Sequence, residues 1–249
     1  MRVFLFLSGF LFAGAALAQN TDCSPKSSDS EVVRYAWALQ SLLEKYYSGQ
    51  PLNQTFLSDA TNSSRAEYYQ NFQGIQRQTR LGVRAVQQIE TKTSTSNPSC
   101  NFTFPNATSG EEYVQNALRL EASVASALIG ATGYTQSPEV SFLLARLASG
   151  HTAAATWLAT QQTGIVFPSN SSSLVPAYNP SYVLSSGNKF GKLGQYLNGC
   201  VSAPADPCGQ VFFIGPLVGS VGNQSSATVG SSSSASISPT ARARNLFGN

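Results

Sequence analysis

Four stretches of this chain carry apolar residues at helical spacing, and two of them hold an ionisable residue on the apolar side: Glu121 in one and His151, the only histidine, in the other. A fold that buries these stripes against one another also buries those two groups, and a buried polar group without a partner is costly. The interior must therefore satisfy a carboxylate and an imidazole coming from different helices.

The first stretch runs from about Asp29 to Ser48, with Val33, Ala36, Gln40, Leu43 and Tyr47 on one stripe, Asp29 or Ser30 to cap it and Gly49 to end it. The second, from about Arg65 to Lys92, has a thinner stripe of Phe72, Ile75, Thr79, Gly82, Val83 and Val86. The third opens on Ser109 with Glu112 three positions later, a capping box, and continues through Ala117, Leu120, Glu121, Val124, Leu128 and Ala131 to Gly133. The fourth opens on Ser137 and Pro138, where the missing N–H of proline does no harm. Its inner stripe is Val140, Leu144, Leu147, His151, Ala154 and Leu158, and it closes near Gly164.

Four such helices joined by Ser-, Asn-, Gly- and Pro-containing connections predict an all-α fold, an antiparallel four-helix bundle over 29–164. The short third connection makes the last two helices antiparallel neighbours, and Ala122, Ala125, Ala127 and Ala153 to Ala155 allow close approach. Residues 165–219 read as an irregular, Pro- and Gly-containing segment packed on the bundle, with one short helix near Lys189 to Leu197. Residues 220–249, rich in Ser and without periodicity, read as a disordered tail.

Residues 1–18 have the form of a secretory signal: Arg2, an apolar run from Val3 to Ala16, then Ala16-Leu17-Ala18 before a 19–28 extension. The run is too short for a membrane span, and the polar C-terminal residues do not suit a glycolipid anchor. The expected location is secreted, extracellular or in the cell wall. In an oxidising compartment Cys23, Cys100, Cys200 and Cys208 are expected to form two disulfides, with three pairings possible; loop closure favours Cys200 with Cys208, leaving Cys23 with Cys100, but native geometry decides. Asn53, Asn62, Asn101, Asn106, Asn170 and Asn223 each begin an N-glycosylation sequon. Charged residues are only 11% of the chain and the net charge is +3, with no basic patch to suggest nucleic acid.

Several features then join into one resemblance. The run Ala36-Trp37-Ala38-Leu39-Gln40-Ser41-Leu42-Leu43-Glu44-Lys45-Tyr46-Tyr47, the segment Cys100-Asn101-Phe102-Thr103-Phe104-Pro105, the stretch from Leu118 to Ala131 and the span from His151 through Trp157-Leu158 are similar to the secreted ferritin-like proteins of fungi, including the desiccation- and stress-related group. The similarity covers about Asp29 to Ser186. It implies a ferritin-like bundle in which Gln40 takes the place of the first-helix Glu, Thr79 and Gly82 about the places of the second-helix Glu and His, and Glu121 retains the third-helix Glu. The fourth-helix Glu-x-x-His becomes Ala148-x-x-His151.

A carboxylate two-metal centre requires several carboxylates and at least two imidazoles, and this chain has one histidine. Two readings follow for Glu121 and His151: a buried hydrogen-bonded pair across two helices, or a residual mononuclear metal site completed by Gln40, water or Glu44. No nucleophile elbow accompanies His151. Glu31, Glu67, Glu90, Glu111, Glu112 and Glu139 sit near helix ends, where exposure and capping explain them, and Tyr46, Tyr47, Tyr68, Tyr69 and Tyr113 read as core rather than as a ligand groove.

The expectation is a secreted glycoprotein without cofactor or catalytic activity, with a role in stress tolerance or host contact and with cell-wall or host components as partners. Two alternatives stand beside it: a metal-dependent oxidase with a rebuilt site around Glu121 and His151, and a ligand-binding or adhesive surface protein.

Overall fold

The computed structural model describes residues 27–49, 52–93, 96–163, 165–167 and 173–206. Four long helices dominate: α1 (Ser30–Gly49), α2 (Tyr68–Thr93), α3 (Gly110–Ala131) and α4 (Pro138–Gln162). The Ser109 and Ser137 side chains accept hydrogen bonds from Glu112 N and Val140 N, so both serines cap as their spacing predicts. Glu112 reaches one residue further back than a capping box requires, accepting from Thr108 N at 2.7 Å.

The second helix starts later than its pattern suggests. Ser63–Ala66 forms a separate turn, because Glu67 takes a left-handed conformation (φ 45°) and breaks the helical path before Tyr68. Asn71 Nδ2 then donates to the carbonyls of Ala66 and Glu67.

Contacts at the helix ends fix the arrangement. Tyr46 Oη donates to Tyr113 O at 2.8 Å, joining the end of α1 to the start of α3, and Asp29 accepts from Thr135 Oγ1 and Gln136 N, joining the start of α1 to the end of α3. Gln76 Nε2 donates to Tyr47 O, Lys92 pairs with Glu139, and Gln162 Nε2 donates to Tyr68 Oη. Each helix is thus antiparallel to its two adjacent neighbours, with α2 and α3 diagonal and parallel. The 94–109 connection must run the length of the bundle, and at about 3.3 Å per residue it is long enough to return past a 26-residue helix rising 1.5 Å per residue. One connection that crosses between parallel helices, with the other two joining antiparallel neighbours, is ferritin-like topology.

One end of the core is aromatic. Tyr46 stacks on Tyr113 with ring centroids 4.8 Å apart, and Phe72 lies edge-on to both Tyr113 and Trp157. Tyr46, Tyr47, Tyr68 and Tyr113 are buried, as expected of core tyrosines, and Tyr69 is half-buried.

The segment 173–206 lies along α3, whose small residues let backbone approach backbone. Tyr178 N donates to Ser126 O at 3.1 Å, Gly191 N donates to Ser123 Oγ at 3.2 Å, and Val175 packs on Ala122, Ala125 and Ala155. Two short turns shape it: Pro180–Val183, capped by Asn179 and not anticipated from sequence, and Gly194–Leu197, the shorter form of the helix expected near Lys189 to Leu197.

Cys100 is bonded to Cys200, with Cα atoms 5.1 Å apart. This replaces both expected pairings, Cys200 with Cys208 and Cys23 with Cys100. Loop length favours the short closure, but the crossover lies beside the C-terminal segment, where Thr103 N donates to Tyr196 O, and proximity in the folded state decides. Cys23 and Cys208 lie outside the described residues, as do the signal, most of the 19–28 extension and the 220–249 tail.

Glu90 departs from its expected exposure. It is buried near the end of α2 with Oε1 unpartnered, and burial pushes its carboxyl up to about 7, against the opposing effects of the Asn97 hydrogen bond and the Arg34 charge. The folded state therefore resists ionisation: this contribution to stability is complete below the ordinary carboxyl range and is lost as pH rises through 7. Between pH 5 and pH 8 the protein should lose about 1–2 kcal/mol from this group, and denaturant titrations of Glu90→Gln should show that slope flattened.

Candidate functional site

The interior polar groups come from three of the four helices. On α1, Gln40 and Tyr47 are seven residues apart, two helical turns, and share the inward stripe; Glu121 enters from α3 and His151 from α4. Gln40 and Glu121 are fully buried and Tyr47 and His151 nearly so.

They form one chain of hydrogen bonds. Gln40 Nε2 lies 2.7 Å from His151 Nε2, His151 Nδ1 lies 2.6 Å from Glu121 Oε2, and Tyr47 Oη donates to Glu121 Oε1 at 2.6 Å. With the Gln40 amide as donor, His151 Nε2 is the acceptor, so the imidazole proton sits on Nδ1 and is donated to Glu121. Burial, and then the Glu121 charge, hold the Tyr47 hydroxyl far above the ordinary phenol range, which keeps it a donor. Tyr113, buried nearby, is raised by the same two causes in the same order.

α2 adds no polar group to this chain. Thr79 is buried but its hydroxyl donates to Ile75 O on its own helix, and Gly82 contributes only space: a Cβ there would meet Gln40 Oε1 at 2.2 Å. Ala148 is a buried apolar residue one turn before His151. Glu44 does not join the site; Arg80 and Lys45 draw it to the surface, with Arg80 Nε 3.4 Å away.

The donor set does not suit a two-metal centre. Both oxygens of Glu121 and both ring nitrogens of His151 already have partners, and an ion that displaced the bond between Nδ1 and Oε2 would gain one carboxylate and one imidazole, too few donors for two metals. Among the described residues, no three His, Cys, Asp or Glu side chains gather in a way that could hold a metal.

The acidic residues near helix ends have local tasks. Glu111 accepts from Thr61 N, Glu31 from Ala205 N, and Glu139 pairs with Lys92. The sequon residues Asn53, Asn62, Asn101 and Asn106 are exposed; Asn170 and Asn223 lie outside the described residues. No described helix is long and apolar enough to cross a membrane.

The residue missed in sequence was Tyr47. Its seven-residue spacing from Gln40 marked it as interior, but a tyrosine at helical spacing gives no sign of which hydroxyl acceptor it will meet.

Compared with protein families, residues 28–163 match the one described as a ferritin-like domain. No curated protein matches the chain.

Proposed function

The chain belongs to the ferritin-like domain family, and from that premise we propose that it is a member whose two-metal centre has been replaced by a closed hydrogen-bond chain and whose role is not catalytic. The observation that carries this reading is the full commitment of Glu121 and His151 to Gln40 and Tyr47. Gln40 stands where the family resemblance places a carboxylate, and a neutral amide donates to the imidazole instead of binding an ion. Three hydrogen bonds join these four buried side chains across α1, α3 and α4, so the carboxylate and the imidazole are both satisfied without an ion.

The role is extracellular or cell-wall associated, in stress tolerance or host contact, with wall or host components as partners. A signal-like start, the sequons and the clipping of the crossover by a disulfide support secretion. Protein purified without chelators should carry less than about 0.1 iron or manganese per chain and should oxidise ferrous ion no faster than buffer. One or two ions per chain, lost in His151→Ala, would favour a metal-dependent oxidase with a rebuilt site.

A further inference from the structure

The first and last described residues meet at one end of the bundle. Ser27–Asp29 makes a short 3₁₀ turn that runs directly into α1, and Ala205 N donates to Glu31 Oε2 at 3.1 Å. Asp206 accepts from Tyr134 Oη at 3.2 Å, while Asp29 accepts from Thr135 Oγ1 and Gln136 N. The start of α1 and the end of the C-terminal segment are thus held against the same residues, Tyr134 to Gln136, between α3 and α4.

A cysteine lies just beyond each of these anchors. Cys208 is two residues past Asp206, and Cys23 is four residues before Ser27. The other two cysteines of the chain are bonded to each other, so Cys23 and Cys208 are the pair that remains. Their arms are long enough to meet. At about 3.3 Å per residue they extend about 7 Å from Asp206 and about 13 Å from Ser27. The 3₁₀ rise of about 2 Å per residue keeps Ser27 within about 8 Å of Glu31 along the helix, and Glu31 touches Ala205. The gap from Ser27 to Asp206 is therefore about 20 Å at most, which the two arms span together before the bond itself adds about 5.5 Å between Cα atoms.

We propose that Cys23 and Cys208 form a second disulfide, which joins the start of the helical domain to the end of the segment that covers α3. Each thiol loses its proton, one Sγ–Sγ bond forms, and the two electrons and two protons pass to the disulfide of a thiol–disulfide oxidoreductase, which leaves as a dithiol. With Cys100–Cys200 tying the same segment to the crossover, the covering segment is then stapled both to the crossover and to α1. Joining residues this far apart in sequence restricts the unfolded chain more than a short loop does. The inference rests on the secreted reading, because an oxidising compartment is what forms and keeps such a bond.

The test is peptide mapping of the full chain, made in a eukaryotic host with its own leader and alkylated before unfolding. Cleavage after lysine and arginine and before aspartate separates all four cysteines, because Asp206 lies between Cys200 and Cys208 and Lys26 lies between Cys23 and Cys100. Without reduction, the peptide from Asp22 to Lys26 should be found linked to the one that begins at Asp206, and thiol titration in denaturant should find fewer than about 0.1 thiols per chain. After reduction both peptides should appear separately, each carrying a newly exposed thiol. Free Cys23 and Cys208 beside an intact Cys100–Cys200 bond, a Cys200–Cys208 link, or Cys23 bonded to a second copy of the chain would overturn the proposal alone. Four free thiols in protein retained inside the cell would overturn the secreted reading on which it rests.

Discussion

Glu121→Ala should lower the unfolding free energy by about 3–5 kcal/mol, a fall in melting temperature of about 10 °C or more. The substitution leaves Tyr47 Oη and His151 Nδ1 as buried donors without acceptors and opens a cavity where the fully buried carboxylate stood. Glu121→Gln should be far milder, at about 1 kcal/mol, because the chain can reverse. The new amide would keep the Tyr47 bond through its oxygen and donate to His151 Nδ1; His151 would then donate from Nε2 to a turned Gln40 amide. Equal losses for the two variants would show that volume, rather than hydrogen bonding, holds this part of the core together.

Gly130→Ala should be the second large effect, at about 2–3 kcal/mol despite alanine's better helix propensity. A Cβ at this position would sit 1.8 Å from the Tyr178 carbonyl oxygen, a backbone atom held by the bond from Tyr178 N to Ser126 O. The segment 173–206 would have to lift from α3. Amide hydrogen exchange should therefore rise at Tyr178 and Gly191 while the α1–α2 pair stays protected. Unchanged protection across the segment would mean that its docking does not depend on this close approach.

The long helices could be read from sequence because their stripes and caps are local: Ser109 and Ser137 each bond to an N–H three residues away. Glu121 and His151 could be read as interior for the same reason, since helical spacing alone puts them on the buried face. Their partners are set by packing between helices, and so the joining of Gln40 to His151 was visible only as a coincidence of stripes, while Tyr47 looked like any core tyrosine.

Other features had no local signature. The break at Glu67 depends on a left-handed backbone that its sequence does not announce. The Cys100–Cys200 bond joins residues 100 apart, where the crossover happens to lie beside the final segment. Glu90 sits near a helix end yet is buried, so end position alone was a poor guide to exposure.

At the centre of the bundle, Glu121 and His151 bond to each other, to Tyr47 and to Gln40 in place of a metal. Crystals soaked in ferrous or zinc salts and recorded at the metal absorption edge give the direct test. No anomalous peak should appear between Glu121 and His151, and the 2.6 Å contact between Nδ1 and Oε2 should be retained. A strong peak bonded to both side chains, with Gln40 or Tyr47 turned away, would contradict it.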